Sequence, residues 1–154
     1  MDVHSPSQRS FNMSRIRSAH TKPELMLRRG LFRRGFRYRL HVATLPGKPD
    51  LVFPQWQAVV QMHGCFWHGH ENCVRFNPPT SAKKFWQDKI FRNRARDREC
   101  ERLLNEKGWR VLTVWECALV GRRRLPFEQI LDACADFLRG DQINNAIRST
   151  VGLE

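Results

Sequence analysis

Between His63 and Cys73 the chain places three histidines and two cysteines in eleven residues: His63-Gly64-Cys65-Phe66-Trp67-His68-Gly69-His70-Glu71-Asn72-Cys73. Neither apolar periodicity survives through such a stretch, so residues 63–79 are expected to be an irregular loop around which the regular elements are arranged. Zinc prefers four nitrogen or sulfur ligands in a tetrahedron, and Cys65-x4-His70-x2-Cys73 supplies three at spacings that a loop can close. Cys117, just past an apolar run, is the natural fourth. The plainer alternative is a set of core thiols and surface histidines. Cys100 and Cys134 fall in helical stretches and are expected to pack as small apolar side chains. With five cysteines and no export-type opening, thiols beside histidines point to a metal rather than to disulfides.

The elements on either side follow from pattern. Thr21, Pro23 and Glu24 form a helix start with a capping box, and Leu25, Leu27, Leu31 and Phe32 give that helix its apolar side up to Gly35. Residues 36–42 alternate apolar and basic side chains, as a strand with one wet face does. A turn at Leu45-Pro46-Gly47-Lys48-Pro49 leads to a short apolar strand, Asp50 to Phe53, and after Pro54-Gln55-Trp56 a second runs from Ala58 to Met62. A long basic helix is predicted over 81–107, about 40 Å at 1.5 Å per residue, ending at Gly108. A buried strand over 110–116 and an amphipathic helix opened by Pro126 complete the order helix, three strands, helix, strand, helix. That order predicts an α/β fold with a mixed central sheet flanked by helices. Organisation is expected as a basic N-terminal arm (1–20), one domain (21–140) and a C-terminal tail (141–154).

At 154 residues the chain has room for one core, and 41% hydrophobic residues with five Trp and ten Phe argue against disorder. The net charge of +12 calls for a polyanionic partner. Apolar runs of only a few residues disfavour a membrane and suggest a soluble, intracellular protein. The charge is uneven: +8 over residues 1–40, zero over 41–80, +5 over 81–110 and −1 beyond. Two basic runs around a neutral, aromatic-rich centre suit a clamp on a phosphate backbone, with Arg15 and Arg17 of the arm and Lys89 of the long helix as candidate backbone contacts. Phe66 and Trp67, among the loop's ligands, suit stacking on bases, and Trp86 could join them; core anchoring is the alternative.

A zinc that takes His70 leaves His63 and His68 free, and one hairpin separates them from Asp50. An acid after Pro49 at the mouth of a strand, followed by Gln61-x-His63 near the end of the next, echoes the Pro-Asp, Asp/Glu-x-Lys pattern of many nucleases, with Gln61 in place of the second acid and His63 in place of the lysine.

Over residues 9 to 140 the sequence resembles the very-short-patch mismatch repair endonucleases of bacteria. The matching motifs are Leu45-Pro46-Gly47-Lys48-Pro49-Asp50, His63-Gly64-Cys65-Phe66-Trp67-His68, Phe85-Trp86 with Lys89-Ile90, and Gly108-Trp109-Arg110-Val111-Leu112 running into Val114-Trp115-Glu116-Cys117-Ala118-Leu119. The resemblance implies a restriction-endonuclease-like core with one structural zinc on Cys65, His70, Cys73 and Cys117. It implies Mg2+-dependent nicking, with two ions, of double-stranded DNA on the 5′ side of the T in a T:G mismatch. Such mismatches arise when 5-methylcytosine deaminates, which links the activity to a companion cytosine-5 methyltransferase and to mismatch-repair proteins.

Carried over by motif, Asp50 bridges the magnesium ions with the Met62 backbone carbonyl as a further ligand. Glu24 holds metal-bound water, His68 is the general base with Asp97 as its carboxylate partner, and His63 faces the scissile phosphate. Phe66, Trp67 and Trp86 form the wedge beside the mismatch. Two departures are visible: Met62 stands where the family pattern has Thr, which a backbone role tolerates, and the zinc loop is one residue longer between His70 and Cys73. The implied protein is a monomer of the bacterial cytoplasm, associated with the nucleoid when bound. Two other functions fit the same charge and motifs: a zinc-stabilised mismatch-binding module that does not cut, and a sequence-specific nuclease of the same fold.

Overall fold

Thr21 begins the first helix as expected. In the computed structural model, which describes residues 20–149, its Oγ1 accepts the Glu24 N–H (3.4 Å), and α1 runs from Lys22 to Arg33. The arm over 1–19, with Arg15 and Arg17, lies outside the described residues. After α1 come β1 (Arg39–Leu40), β2 (Leu51–Phe53), a single 3-10 turn (Pro54–Trp56), β3 (Ala58–His63), α2 (Lys83–Glu106), β4 (Arg110–Trp115), a one-turn α3 (Glu116–Leu119), α4 (Phe127–Arg139) and β5 (Asn144–Ile147). No helix among the described residues is long and apolar enough to cross a membrane.

The strands form one sheet in the order β1-β2-β3-β4-β5. β1, β2 and β3 pair antiparallel, while β3, β4 and β5 pair parallel. This is the mixed sheet with flanking helices expected of a restriction-endonuclease-like core. Alternation along the central strands sends side chains to both faces. Leu51, Phe53, Ala58, Val60, Leu112 and Val114 join one buried cluster with Leu27 and Leu31 of α1 and Ile130 and Leu138 of α4. Val52, Val59 and Val111 face the other way, onto Leu104 of α2. The central strands therefore read as continuous apolar runs because both of their faces are covered. Arg110 links the layers: its guanidinium donates to the last carbonyls of α4, Phe137 O (2.7 Å) and Leu138 O (2.9 Å), and to Trp56 O (2.8 Å).

Three local expectations change. The strand predicted over 36–42 shrinks to Arg39–Leu40, because Phe36 and Tyr38 serve as anchors instead. Phe36 packs on Phe53 and Trp56, and the Tyr38 hydroxyl donates to Arg28 O (2.9 Å). The long helix starts at Lys83, after Ala82 adopts a left-handed φ of 53°. The segment read as a tail supplies β5, which extends the parallel side of the sheet and buries only Ile147 of its four residues.

Candidate active site

Asp50 stands at the entrance to β2, and its Oδ2 accepts the Met62 N–H of β3 (2.7 Å), which fixes the carboxylate against the neighbouring strand. Burial raises its proton affinity, the Glu24 acid beside it raises it further, and together they push the carboxyl up to about 7 despite the Met62 N–H. Glu24 arrives from the first turn of α1 and is almost fully buried. Its Oε2 accepts the His20 N–H (3.1 Å) and the Arg28 guanidinium (3.0 Å), and its Oε1 lies 3.1 Å from His41 Nε2. That imidazole nitrogen also lies 3.7 Å from Asp50 Oδ1. The Thr21 cap takes the Glu24 backbone N–H, while the Glu24 carboxylate turns to the His20 N–H, Arg28 and His41. Two acids crowded in a buried place, one of them reluctant to ionise, make a pair whose repulsion a hard divalent cation would relieve.

The loop after β3 brings the second half of the site. His68 Nδ1 is 2.6 Å from Asp97 Oδ2 on α2, an acid-oriented imidazole whose Nε2 is left for other chemistry. His63, the last residue of β3, stacks on His68 with ring centroids 3.8 Å apart and planes 4° off parallel. Burial, followed by the neighbouring His68, lowers His63 to about 3 and keeps it neutral. An open cleft of about 550 Å3 gathers His41, Asp50, Met62, His63, His68 and Asp97 on its walls. The residues singled out from sequence therefore converge, with Glu24 behind them.

Cys65, His70, Cys73 and Cys117 each place one ligand atom within 4.8 Å of the other three. Cys117 Sγ is 3.6 Å from His70 Nδ1. The thiol pair divides its proton unequally: hydrogen bonding to Cys117 drives Cys65 far up, while the same bond lowers Cys117 to about 4. Three sulfurs and one imidazole in this arrangement could hold a tetrahedral metal ion. The loop is braced from outside, since Arg94 of α2 donates to Gly69 O through both Nε and Nη2. Gly69 has φ +60°, and a β-carbon there would collide with Ile90 Cγ2, so only glycine lets the loop seat on α2. Cys134 is buried in the core, whereas Cys100 is half-buried at the cleft.

The aromatics form one cluster: Phe66 lies 5.1 Å from Trp67 and 5.3 Å from Trp86, and Trp67 lies 6.1 Å from Trp86, centroid to centroid. Their roles in the cluster differ. Phe66 and Trp67 are half-buried, while Trp86 is only 4% exposed and supports them from α2. Lys89 Nζ approaches the Trp67 ring to 5.8 Å.

Sequence reasoning passed over His41, which it placed on an alternating strand, and Arg148 and Ser149, which it placed in the tail. Arg148 donates to Glu71 O (3.0 Å) and Asn72 O (2.9 Å), and the Ser149 N–H donates to Cys117 Sγ (3.4 Å). A signal for His41 existed: a histidine eight residues before Pro49-Asp50, with the Pro46-Gly47 turn between them, can face Asp50 across a hairpin.

A family described as DNA mismatch endonuclease Vsr matches residues 1–75. The chain is 41% identical over 140 residues to the DNA mismatch endonuclease Vsr of Escherichia coli, covering 91% of this chain and 89% of that protein. It is 45% identical over 130 residues to the type II nicking enzyme V.XorIIP of Xanthomonas oryzae, covering 83% and 95% of the two chains. A third relative, the type II nicking enzyme V.NmeAIP of Neisseria meningitidis, is 45% identical over 118 residues, 77% and 84% of the two chains. With identity at this level over nearly the whole length, the chain belongs to the Vsr family of DNA mismatch endonucleases.

Proposed function

We propose that this protein nicks one strand of double-stranded DNA on the 5′ side of the T in a T:G mismatch. The mismatch would lie in the target sequence of a cytosine-5 methyltransferase, where deaminated 5-methylcytosine produces it, and the nick would start very-short-patch repair. The observation that carries the reading is the cleft in which Asp50 and the His68–Asp97 pair converge within a Vsr-family chain. A module that only binds mismatches would leave that convergence without a use.

Asp50, with the Met62 backbone carbonyl as a further ligand and Glu24 one water away, would hold magnesium, which supplies Lewis-acid stabilisation of the charge that builds on the phosphate. His68 takes the proton of the attacking water, and Asp97 holds the imidazole in the orientation and tautomer that leave Nε2 free to accept it. His63, neutral and stacked on His68, faces the scissile phosphate and can donate to it without adding a competing base. Phe66 and Trp67 enter the stack at the mismatch, where the weakened pair lowers the cost of unstacking, and Trp86 stiffens them from behind. Arg15, Arg17 and Lys89 contact the backbone. Cys65, His70, Cys73 and Cys117 take a structural zinc, which fixes the loop that carries His68. The protein acts as a monomer in the bacterial cytoplasm, on the nucleoid when bound. Its relatives named as type II nicking enzymes support the link to a methyltransferase, and mismatch-repair proteins are its further partners.

The test compares end-labelled duplexes carrying T:G, C:G or T:A at the centre of several methyltransferase targets, incubated with protein and magnesium. A single cut 5′ to the mispaired T is expected, absent from paired controls and from Asp50→Ala. Cutting of paired DNA would overturn the mismatch reading, and binding without cutting in every context would overturn the nuclease.

A further inference from the structure

His41 occupies a position that neither the nuclease motif nor the zinc cluster explains. It follows the two-residue β1, and its backbone N–H donates to Asp50 O (3.1 Å), closing the hairpin at the level of the first acid. Its φ is +45°, the left-handed region that a β-carbon disfavours, so the surrounding structure holds this residue where its local preference would not. The strained turn directs the side chain inward, where it is only 14% exposed. There Nε2 lies 3.1 Å from Glu24 Oε1 and 3.7 Å from Asp50 Oδ1. The His20 ring packs edge-on against it, centroid to centroid 4.8 Å.

We infer that His41 is a positioning residue for the cation site: through Nε2 it ties the Glu24 acid on α1 to the Asp50 acid at the entrance to β2, so that the two converge on one ion. The inference rests on the assignment of Asp50 and Glu24 to the cation. Its physical basis is that the two acids come from separate elements and repel one another. Asp50 is fixed by the Met62 N–H, while Glu24 can leave with any movement of α1. A donor anchored to the Asp50 hairpin and bonded to Glu24 converts that loose approach into a fixed spacing. The His20 N–H and Arg28, which also hold Glu24, lie on the α1 side and would travel with the helix. Partners of this kind, one bond beyond the metal, are worth about 10- to 100-fold in metal affinity or activity.

His41→Gly separates positioning from packing, because glycine is at ease at φ +45° and removes only the imidazole. The expected result is an EDTA-phase affinity for mismatched DNA equal to the parent's and a cooperative unfolding transition whose Tm is lower by only about 2–4 °C, because Glu24 Oε1 loses its donor. Mn2+ affinity, read by paramagnetic resonance without DNA, should fall about 10- to 100-fold. The magnesium concentration for half-maximal nicking should rise by a similar factor, with kcat largely recovered at saturation. His41→Gln, which keeps a side-chain N–H donor, should restore most of the affinity. Parental Mn2+ affinity and magnesium requirement in His41→Gly would overturn the inference, as would a Gln variant as defective as the Gly variant. Asp50→Ala run in parallel isolates the underlying assignment: if it still nicks, the cation reading fails, whereas an inactive Asp50→Ala beside a parental His41→Gly removes His41 alone.

Discussion

Asp50 holds its proton more tightly in the folded protein than in the unfolded chain, about 7 against an ordinary 3.8, because it is buried beside a second acid. A carboxyl raised in this way adds stability that is complete below the unfolded value and is lost as the pH rises through 7. At pH 8 and without a divalent cation, the ionised Asp50 beside Glu24 therefore strains the fold. Asp50→Asn should abolish nicking and yet stabilise the metal-free protein at pH 8, since the amide keeps an oxygen for the Met62 N–H and carries no charge. A gain of about 1 kcal/mol, or about 2–4 °C in Tm, is expected at pH 8 and should vanish near pH 4. Thermal unfolding in EDTA at both values checks it, and a variant no more stable than the parent at pH 8 would show that Asp50 is not a strained acid. Tolerance of such strain is a mark of function rather than of folding.

Among the elements, the Cys/His loop was the most legible, because four ligand-type residues at Cys65-x4-His70-x2-Cys73 and Cys117 have few other uses, and the structure brings all four together. β5 was the least legible. Asn144, Asn145 and Ala146 are exposed and lack the apolar alternation that marks a strand; pairing with β4 and the burial of Ile147 create it instead. Helix α1 shows the intermediate case, where a cap read correctly from Thr21 and Glu24 concealed a second use for the same glutamate. The consequence of β5 lies at its end, where Arg148 grips two carbonyls of the loop and the Ser149 N–H reaches Cys117 Sγ. A divalent ion with three thiolates and one imidazole carries one net negative charge, which an adjacent guanidinium offsets. Arg148→Ala should therefore leave zinc stoichiometry intact but speed zinc transfer to a chromogenic chelator about tenfold, the lower range for partners beyond the metal. An unchanged transfer rate would reduce β5 to sheet packing alone.

Across the whole molecule, the sheet sets the cleft residues at one end, where the Asp50 entrance to β2 meets the exit of β3, and the loop leaving that exit carries both His68 and the aromatic pair. On the proposed reading, chemistry and mismatch recognition are thus hung on a single segment whose other attachment is the Cys/His cluster. The sequence identified the three aromatics but not their division of labour, because exposure depends on how α2 packs, and no local pattern reports that. Trp86 is 4% exposed beneath Phe66 and Trp67, which are half-buried. Trp86→Ala should behave as a core truncation, costing about 3–5 kcal/mol of stability on every substrate and in its absence. Trp67→Ala should barely change Tm and should instead cost about 1–3 kcal/mol of binding to mismatched duplex, the worth of one aromatic–base stack, or roughly 5- to 150-fold. Since paired DNA resists unstacking, that loss should fall on T:G duplexes and leave C:G binding nearly as it was. Measuring Tm together with binding to both duplexes for the two variants separates a wedge from its support; equal losses on T:G and C:G for Trp67→Ala would mean that this ring does not enter the stack.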